Sequence, residues 1–167
     1  MLFKTLFVAL LVLVIGVLSA PTNSASTVTL HRRAGSWVDQ MVCLINKERT
    51  RVGLPKLAID DTLNKIAQKH ADYMYSTKTM THSDPEGSLG TRLAKAGIKW
   101  TGCSENVAGG MTNVNSAFDA WMKSSGHYAN IVSKNSNIFG AGHTDKYFVN
   151  DFAAVSVVSE NAYIPVC

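Results

Sequence analysis

Ile138-Phe139-Gly140-Ala141-Gly142-His143-Thr144-Asp145-Lys146-Tyr147-Phe148-Val149-Asn150-Asp151-Phe152-Ala153 decides the fold class. Its arms carry Ile138, Phe139, Tyr147, Phe148, Val149 and Phe152, residue types that suit a pleated, half-buried surface, and Thr144-Asp145-Lys146 is a polar turn between them. Residues 138–142 and 147–153 therefore predict two antiparallel strands. A shorter strand around Glu105 to Ala108 is expected to join them.

Upstream of Ser133 the apolar spacing changes to 3 and 4. Ser36-Trp37-Val38-Asp39 has the form of a capping box, and Trp37, Met41 and Ile45 with Val38 and Val42 continue a helical face to Arg51, where Gly53 stops it. A first helix is predicted over about 37–51. Asp60 and Asp61 suit a helix N-terminus, where carboxylates accept from orphan amides and complement the dipole. Leu63, Ile66, Ala67, His70 and Met74 follow, predicting a second helix to about Ser76. Leu89, Arg92, Leu93 and Ala96, closed by Gly97, mark a third, and Val114, Ala117, Phe118, Trp121 and Met122, opened by Asn113, a fourth. Helices first and strands last make the class α+β, a small antiparallel sheet covered by helices. On this pattern His70 is a hydrogen-bonded core histidine, His143 a solvated residue beside the turn, and Trp37, Phe118 and Trp121 are packing anchors.

The N-terminus is an address rather than part of that fold. Lys4 precedes an unbroken apolar run from Leu6 to Leu18, followed by Ser19, Ala20 and Pro21, the layout of a secretory signal peptide cleaved after Ser19. The run is short of the roughly 20 apolar residues a bilayer span requires, so no membrane span is expected once the signal is removed. Residues 20–33 have no hydrophobic period and end in Arg32-Arg33, the form of a dibasic processing site closing a short propeptide or linker. A single domain over 34–167 is expected.

Composition narrows the function classes. The chain has 167 residues, 46% hydrophobic and 17% charged, which excludes a disordered or fibrous protein. Three of the sixteen Lys and Arg precede Ala34 while all twelve Asp and Glu follow it, so the body nets only +1. Nucleic-acid binding needs clustered phosphate-neutralising charge and is not expected. Cys43, Cys103 and Cys167 form an odd set, and in an exported protein one disulfide with one thiol left over is expected, the pairing left open.

No Gly-x-Ser-x-Gly elbow, His-Glu-x-x-His, Cys-x-x-Cys or phosphate-cradling loop occurs. The chemistry-bearing residues instead sit between helices, in Thr81-His82-Ser83-Asp84, Cys103-Ser104-Glu105-Asn106-Val107-Ala108 and Ser124-Ser125-Gly126-His127-Tyr128-Ala129-Asn130-Ile131. Two imidazoles and a carboxylate, brought together, make a set that binds a divalent cation and leaves a coordination position open. Ser83, Ser104 and Ser125 lie near the histidines in sequence, but nothing supplies an oriented acid and an oxyanion hole for a Ser/His hydrolase.

In order and spacing these pieces resemble the CAP superfamily (cysteine-rich secretory proteins, antigen 5, pathogenesis-related 1), especially its small bacterial and fungal members. The resembling segments are Leu44-Ile45-Asn46-Lys47-Glu48-Arg49 with Gly53-Leu54-Pro55, Ala67-Gln68-Lys69-His70-Ala71, Met80-Thr81-His82-Ser83, Ser104-Glu105-Asn106-Val107-Ala108, Ala120-Trp121-Met122-Lys123-Ser124 with Gly126-His127, and Asn130-Ile131. The resemblance implies an α-β-α sandwich whose central cavity holds a His, Glu, Glu, His tetrad. His82, Glu105 and His127 match three of its members. The second Glu is absent, since Lys123, Ser124 and Ser125 occupy its stretch. Asn106 and Asn130 are expected to satisfy loop backbone near the cavity.

Two functions follow from that resemblance and these residues. The first is a secreted, non-enzymatic protein that binds a small apolar, lipid or sterol ligand, or a cell-surface partner, through a cavity lined by His82, Glu105, His127, Asn106 and Asn130, with no cofactor required. The second is a metal-assisted hydrolase in which His82, Glu105 and His127 hold a divalent cation, Zn²⁺ or Mg²⁺, and a bound water of lowered pKa.

Overall fold

The computed structural model describes residues 36–167, so the expected signal peptide and dibasic segment lie outside the described residues. Helix α1 (Trp37–Arg51) opens with the reciprocal box its sequence predicts: the Ser36 hydroxyl accepts from the Asp39 amide, and the Asp39 carboxylate accepts from the Ser36 amide. After β1 (Ala58–Ile59), α2 (Asp61–Thr77) starts at Asp60, whose carboxylate accepts from the amides of Thr62 and Leu63. Helix α3 (Leu89–Lys95), β2 (Trp100–Ala108), α4 (Val114–Met122), α5 (Ser125–Ile131), β3 (Ile138–Thr144) and β4 (Tyr147–Val155) complete the chain.

The strands form one sheet in the order β1-β3-β4-β2. β4 lies antiparallel to both β3 and β2, as expected of the hairpin and its third strand. β1 adds a parallel pairing with β3, so the sheet is mixed. Two residues are too short to show any period, which is why this strand leaves no trace in the sequence. Helix α5 also falls where the sequence shows a polar turn. Of its residues only Ile131 is buried, so it carries no apolar stripe to announce it.

Helices cover both faces of the sheet. On one side α1, α4 and α5 pack Met41, Ile45, Trp121 and Ile131 onto Phe139, Phe148 and Phe152. On the other, α2 and α3 pack Leu63, Ile66 and Leu93 onto Ile138 and Ala153, and Ala67, Ala71 and Met74 onto Val107 and Val149. Helix α2 lies directly on β3 because that strand carries glycine where they touch. A Cβ at Gly140 would come within 2.3 Å of the Leu63 backbone, and one at Gly142 within 2.2 Å of the Ala67 backbone. No side chain fits there, so α2 is held at backbone distance from the sheet.

Trp37, Phe118 and Trp121 pack as the helical spacing predicts. His143 is half-buried rather than fully solvated. Its ring stacks on Phe148, its cross-strand partner, at 4.0 Å between centroids and meets the edge of Trp37 at 5.6 Å. The residue sits at the end of β3 rather than in the turn, and strand alternation turns it toward α1. Cys43 of α1 and Cys167 form the disulfide, with Cα atoms 5.5 Å apart, and Cys103 is the thiol left over. Among the described residues no helix is long and apolar enough to cross a membrane.

Candidate functional site

Glu105 stands at the centre of the site because β2 is an edge strand and its odd residues face α2 and α3. Its side chain is 6% exposed and each oxygen has a cationic or imidazole partner. Arg92 of α3 donates from Nη2 to Oε2 at 2.6 Å. His82 approaches Oε1 through Nδ1 at 2.9 Å, and Nε2 of His70 lies 3.7 Å from the same oxygen. Bonds of this kind are short and about twice as strong as neutral ones, so the carboxylate is held from both ends.

His70 is the buried counterpart of the exposed His82. It has no solvent exposure, and its ring nitrogens bridge to the segment that carries His82. Nε2 lies 2.8 Å from the Thr81 carbonyl and Nδ1 2.7 Å from the Asp84 carboxylate. Burial pushes the Asp84 carboxyl up, but the Glu86 amide, the His70 contact and the Arg92 charge outweigh it and hold it below the usual carboxylate value.

His127 reaches the site from the opposite side of the edge, on α5. Its imidazole is half-buried, and burial together with the nearby His82 charge lowers its pKa below the ordinary histidine value, favouring the neutral ring. Asn106 and Asn130 fasten α5 to the strand. Asn106 Nδ2 donates to the His127 carbonyl at 3.1 Å, and Asn130 Nδ2 donates to Asn106 Oδ1 at 2.8 Å and to the Glu105 carbonyl at 3.4 Å. Trp121 Nε1 donates to the Val107 carbonyl at 3.1 Å, so two backbone acceptors of the edge strand are covered by helices.

A second carboxylate is present, from a place the motifs do not indicate. Asp151 of β4 is the cross-strand partner of Glu105, fully buried on the same face. Burial, and then the adjacent Glu105 charge, push its carboxyl well above the usual carboxylate range, with Arg92 opposing. The sequence carried two signals for this network: Asp151 is a charge inside an apolar strand, and Arg92 a charge inside the apolar stripe Leu89, Leu93, Ala96. Either is costly to bury unless paired.

The histidines and carboxylates lie apart from a half-open hollow at the other end of α2. A cavity of about 410 Å³ lies at the far end of α2, between Asp60, Thr62, Ile98, Lys99, Ile138 and Val155, and none of His82, Glu105, Asn106, His127 or Asn130 lines it. Among the described residues, no three His, Cys, Asp or Glu side chains have the geometry of a metal site. Both Glu105 oxygens are already committed, so a cation there would have to displace Arg92 or turn His82 away. Among the described residues neither His82 nor His127 is hydrogen-bonded to Ser83, Ser104 or Ser125. The arrangement as it stands is a charge-compensated carboxylate pair roofed by an exposed imidazole.

Comparison with known proteins converges on one family. A family model described as "CAP: Cysteine-rich secretory protein family" matches residues 42–157. The protein YkwD of Bacillus subtilis strain 168 is 31% identical over 125 residues, 74% of this chain and 46% of its own length. This chain thus spans under half of that relative. Among solved structures, an extracellular protein containing an SCP domain from Bacillus anthracis superposes with a TM-score of 0.68 at 28% identity, covering 71% of this chain and 40% of that one. An outer surface protein of Borrelia burgdorferi gives 0.65 at 26% identity, covering 71% and 93%.

Proposed function

This chain belongs to the CAP family of cysteine-rich secretory proteins, and from that premise we propose that it is a secreted binding protein without catalytic function. It presents the β2 edge, with His82 and His127, to a small apolar or lipid ligand or to a cell-surface partner. In this reading residues 1–19 are a signal peptide, 20–33 a propeptide or linker, and the mature protein is extracellular. The descriptions of two solved relatives as extracellular and outer-surface proteins support the location.

One observation carries the choice of binding over catalysis. Both Glu105 oxygens are held by Arg92 and His82 in charge-assisted contacts, and Asp151 is buried beneath them, so no carboxylate is exposed to serve as a general base. What remains exposed is recognition chemistry. The His82 side chain is 59% exposed over an anchored base.

Solvent extraction and mass spectrometry of protein purified from culture medium test the reading directly. A stoichiometric apolar molecule supports it; its absence, together with no retention of the protein on lipid-coated or cell-surface matrices, refutes it. The proximity of His127 to His82 leaves a second reading, in which the His82–Glu105 hydrogen bond opens and Zn²⁺ or Mg²⁺ bridges His82, Glu105 and His127. Calorimetric titration of wild type and His127→Ala with each cation decides it: tight binding lost in the variant supports a metal site, and equal or absent binding rejects it.

A further inference from the structure

His82 lies on a segment outside every helix and strand, yet it meets Glu105 at hydrogen-bond distance. Something must hold that segment. Within the segment the Ser83 amide donates to Thr81 Oγ1 at 2.9 Å and the Glu86 amide to Asp84 Oδ1 at 2.7 Å, and at its flanks the Thr81 amide lies 3.5 Å from Met74 Sδ while Lys69 and Lys95 donate to Glu86. The internal bonds shape the turn, and the lysine contacts with Glu86 are exposed.

One buried ring holds the segment on both sides of His82. His70 reaches residues on either side of His82, the Thr81 carbonyl at 2.8 Å and the Asp84 carboxylate at 2.7 Å. His70 is itself immobile, because α2 lies at backbone distance on Gly140 and Gly142 and the imidazole is wholly buried against Tyr73. The sheet thus locates α2, α2 locates His70, and His70 locates the two ends of the His82 turn.

We infer that His70 is a positioning residue that sets His82 against Glu105. The inference deepens the reading of the β2 edge as the working surface and rests on it for its biological meaning. Arg92 holds Glu105 from the far side, so the pair meets between two independent anchors, one on α2 and one on α3. Bringing the imidazole and the carboxylate together beforehand spares a ligand the ordering of an exposed side chain.

The test uses the folded protein in two variants, His70→Phe and His70→Gln, with unfolding by urea as the control for stability. Ring ¹⁵N shifts of His82 report whether Nδ1 is protonated toward Glu105, and hydrogen exchange reports protection of the Ser83 amide. In His70→Phe the His82 ring is expected to lose its Nδ1-protonated preference and the Ser83 amide to exchange at least tenfold faster. His70→Gln, which keeps a donor, is expected to restore part of both. Should His70→Phe fail to fold, Asp84→Asn cuts one arm of the same bridge and is read in the same way. Wild-type His82 shifts and wild-type exchange in any folded variant overturn the assignment. An empty protein in the lipid extraction together with no retention on the matrices would refute the binding reading while leaving these two readouts unchanged, so the two failures are distinguishable.

Discussion

Strand β4 shows its two faces to two different chemistries. Phe148 and Phe152 turn toward α1, α4 and α5 and enter an apolar cluster with Phe139 and Trp121, while Asp151, one residue earlier than Phe152, turns toward α2 and α3, where it feels the charges of Glu105 and Arg92. Between β2 and α5 on the first face, Asn106 and Asn130 bond to each other and to backbone, and the buried Arg49 of α1 donates to the carbonyls of Pro55, Ile131, Ser133 and Ser136 rather than to a carboxylate. The second face buries ionisable groups whose charges must compensate one another. Apolar burial is indifferent to pH and to the fine placement of partners; buried charge is sensitive to both. The first face therefore holds the fold, and the second holds the geometry of the His82 edge.

The contrast breaks first at its largest expected effects. Phe152→Ala removes a wholly buried ring and should cost about 3–5 kcal/mol in urea unfolding, with little change between pH 4 and 8. Arg92→Leu should cost about 3 kcal/mol near neutral pH, because Glu105 and Asp151 are left together without their cation. That loss should shrink as pH falls and the carboxylates take up protons. Equal pH behaviour in the two variants would dissolve the distinction between the faces.

Asp151→Asn sharpens the point by sign. The Asp151 pKa is raised in the folded protein above its ordinary value of 3.8, so its contribution is fully present below that value and is lost as pH rises through the folded value. The Asn variant should accordingly gain thermal stability relative to wild type as pH rises from 4 to 8, measured by calorimetry. The smallest effect is expected for His82→Ala, whose exposed ring should change stability by no more than about 0.5 kcal/mol while altering whatever engages the edge. A large destabilisation would make His82 a structural residue instead.

Much of the scaffold was legible in the sequence for local reasons. The bounds of α1 and α4 follow from Ser36 and Asn113 as caps and from an apolar stripe behind each, and the hairpin from the 144–146 turn. Helix α5 and β1 were not, since one buried residue and a two-residue strand leave no period to detect. At the site, the motifs pointed to His82, Glu105, His127, Asn106 and Asn130, which the fold gathers along the β2 edge. Arg92 and Asp151 were passed over because a charged residue in an apolar pattern looks like an interruption until its partner is known, and Asp84 stood in a quoted polar turn with no role until its contact with His70 was seen.

Local spacing and residue type determined the element types, the α+β class and the presence of histidine and carboxylate chemistry, because caps, turns and apolar periods act over a few residues. The core position of His70 was legible from its helical face, but which carboxylates share a face and which cysteines pair were decided by the tertiary structure alone. Glu105 meets Asp151 through strand register, and His70 meets the His82 turn through the seat of α2 on two glycines. Both depend on distances between segments far apart in the chain, which no period within either segment encodes.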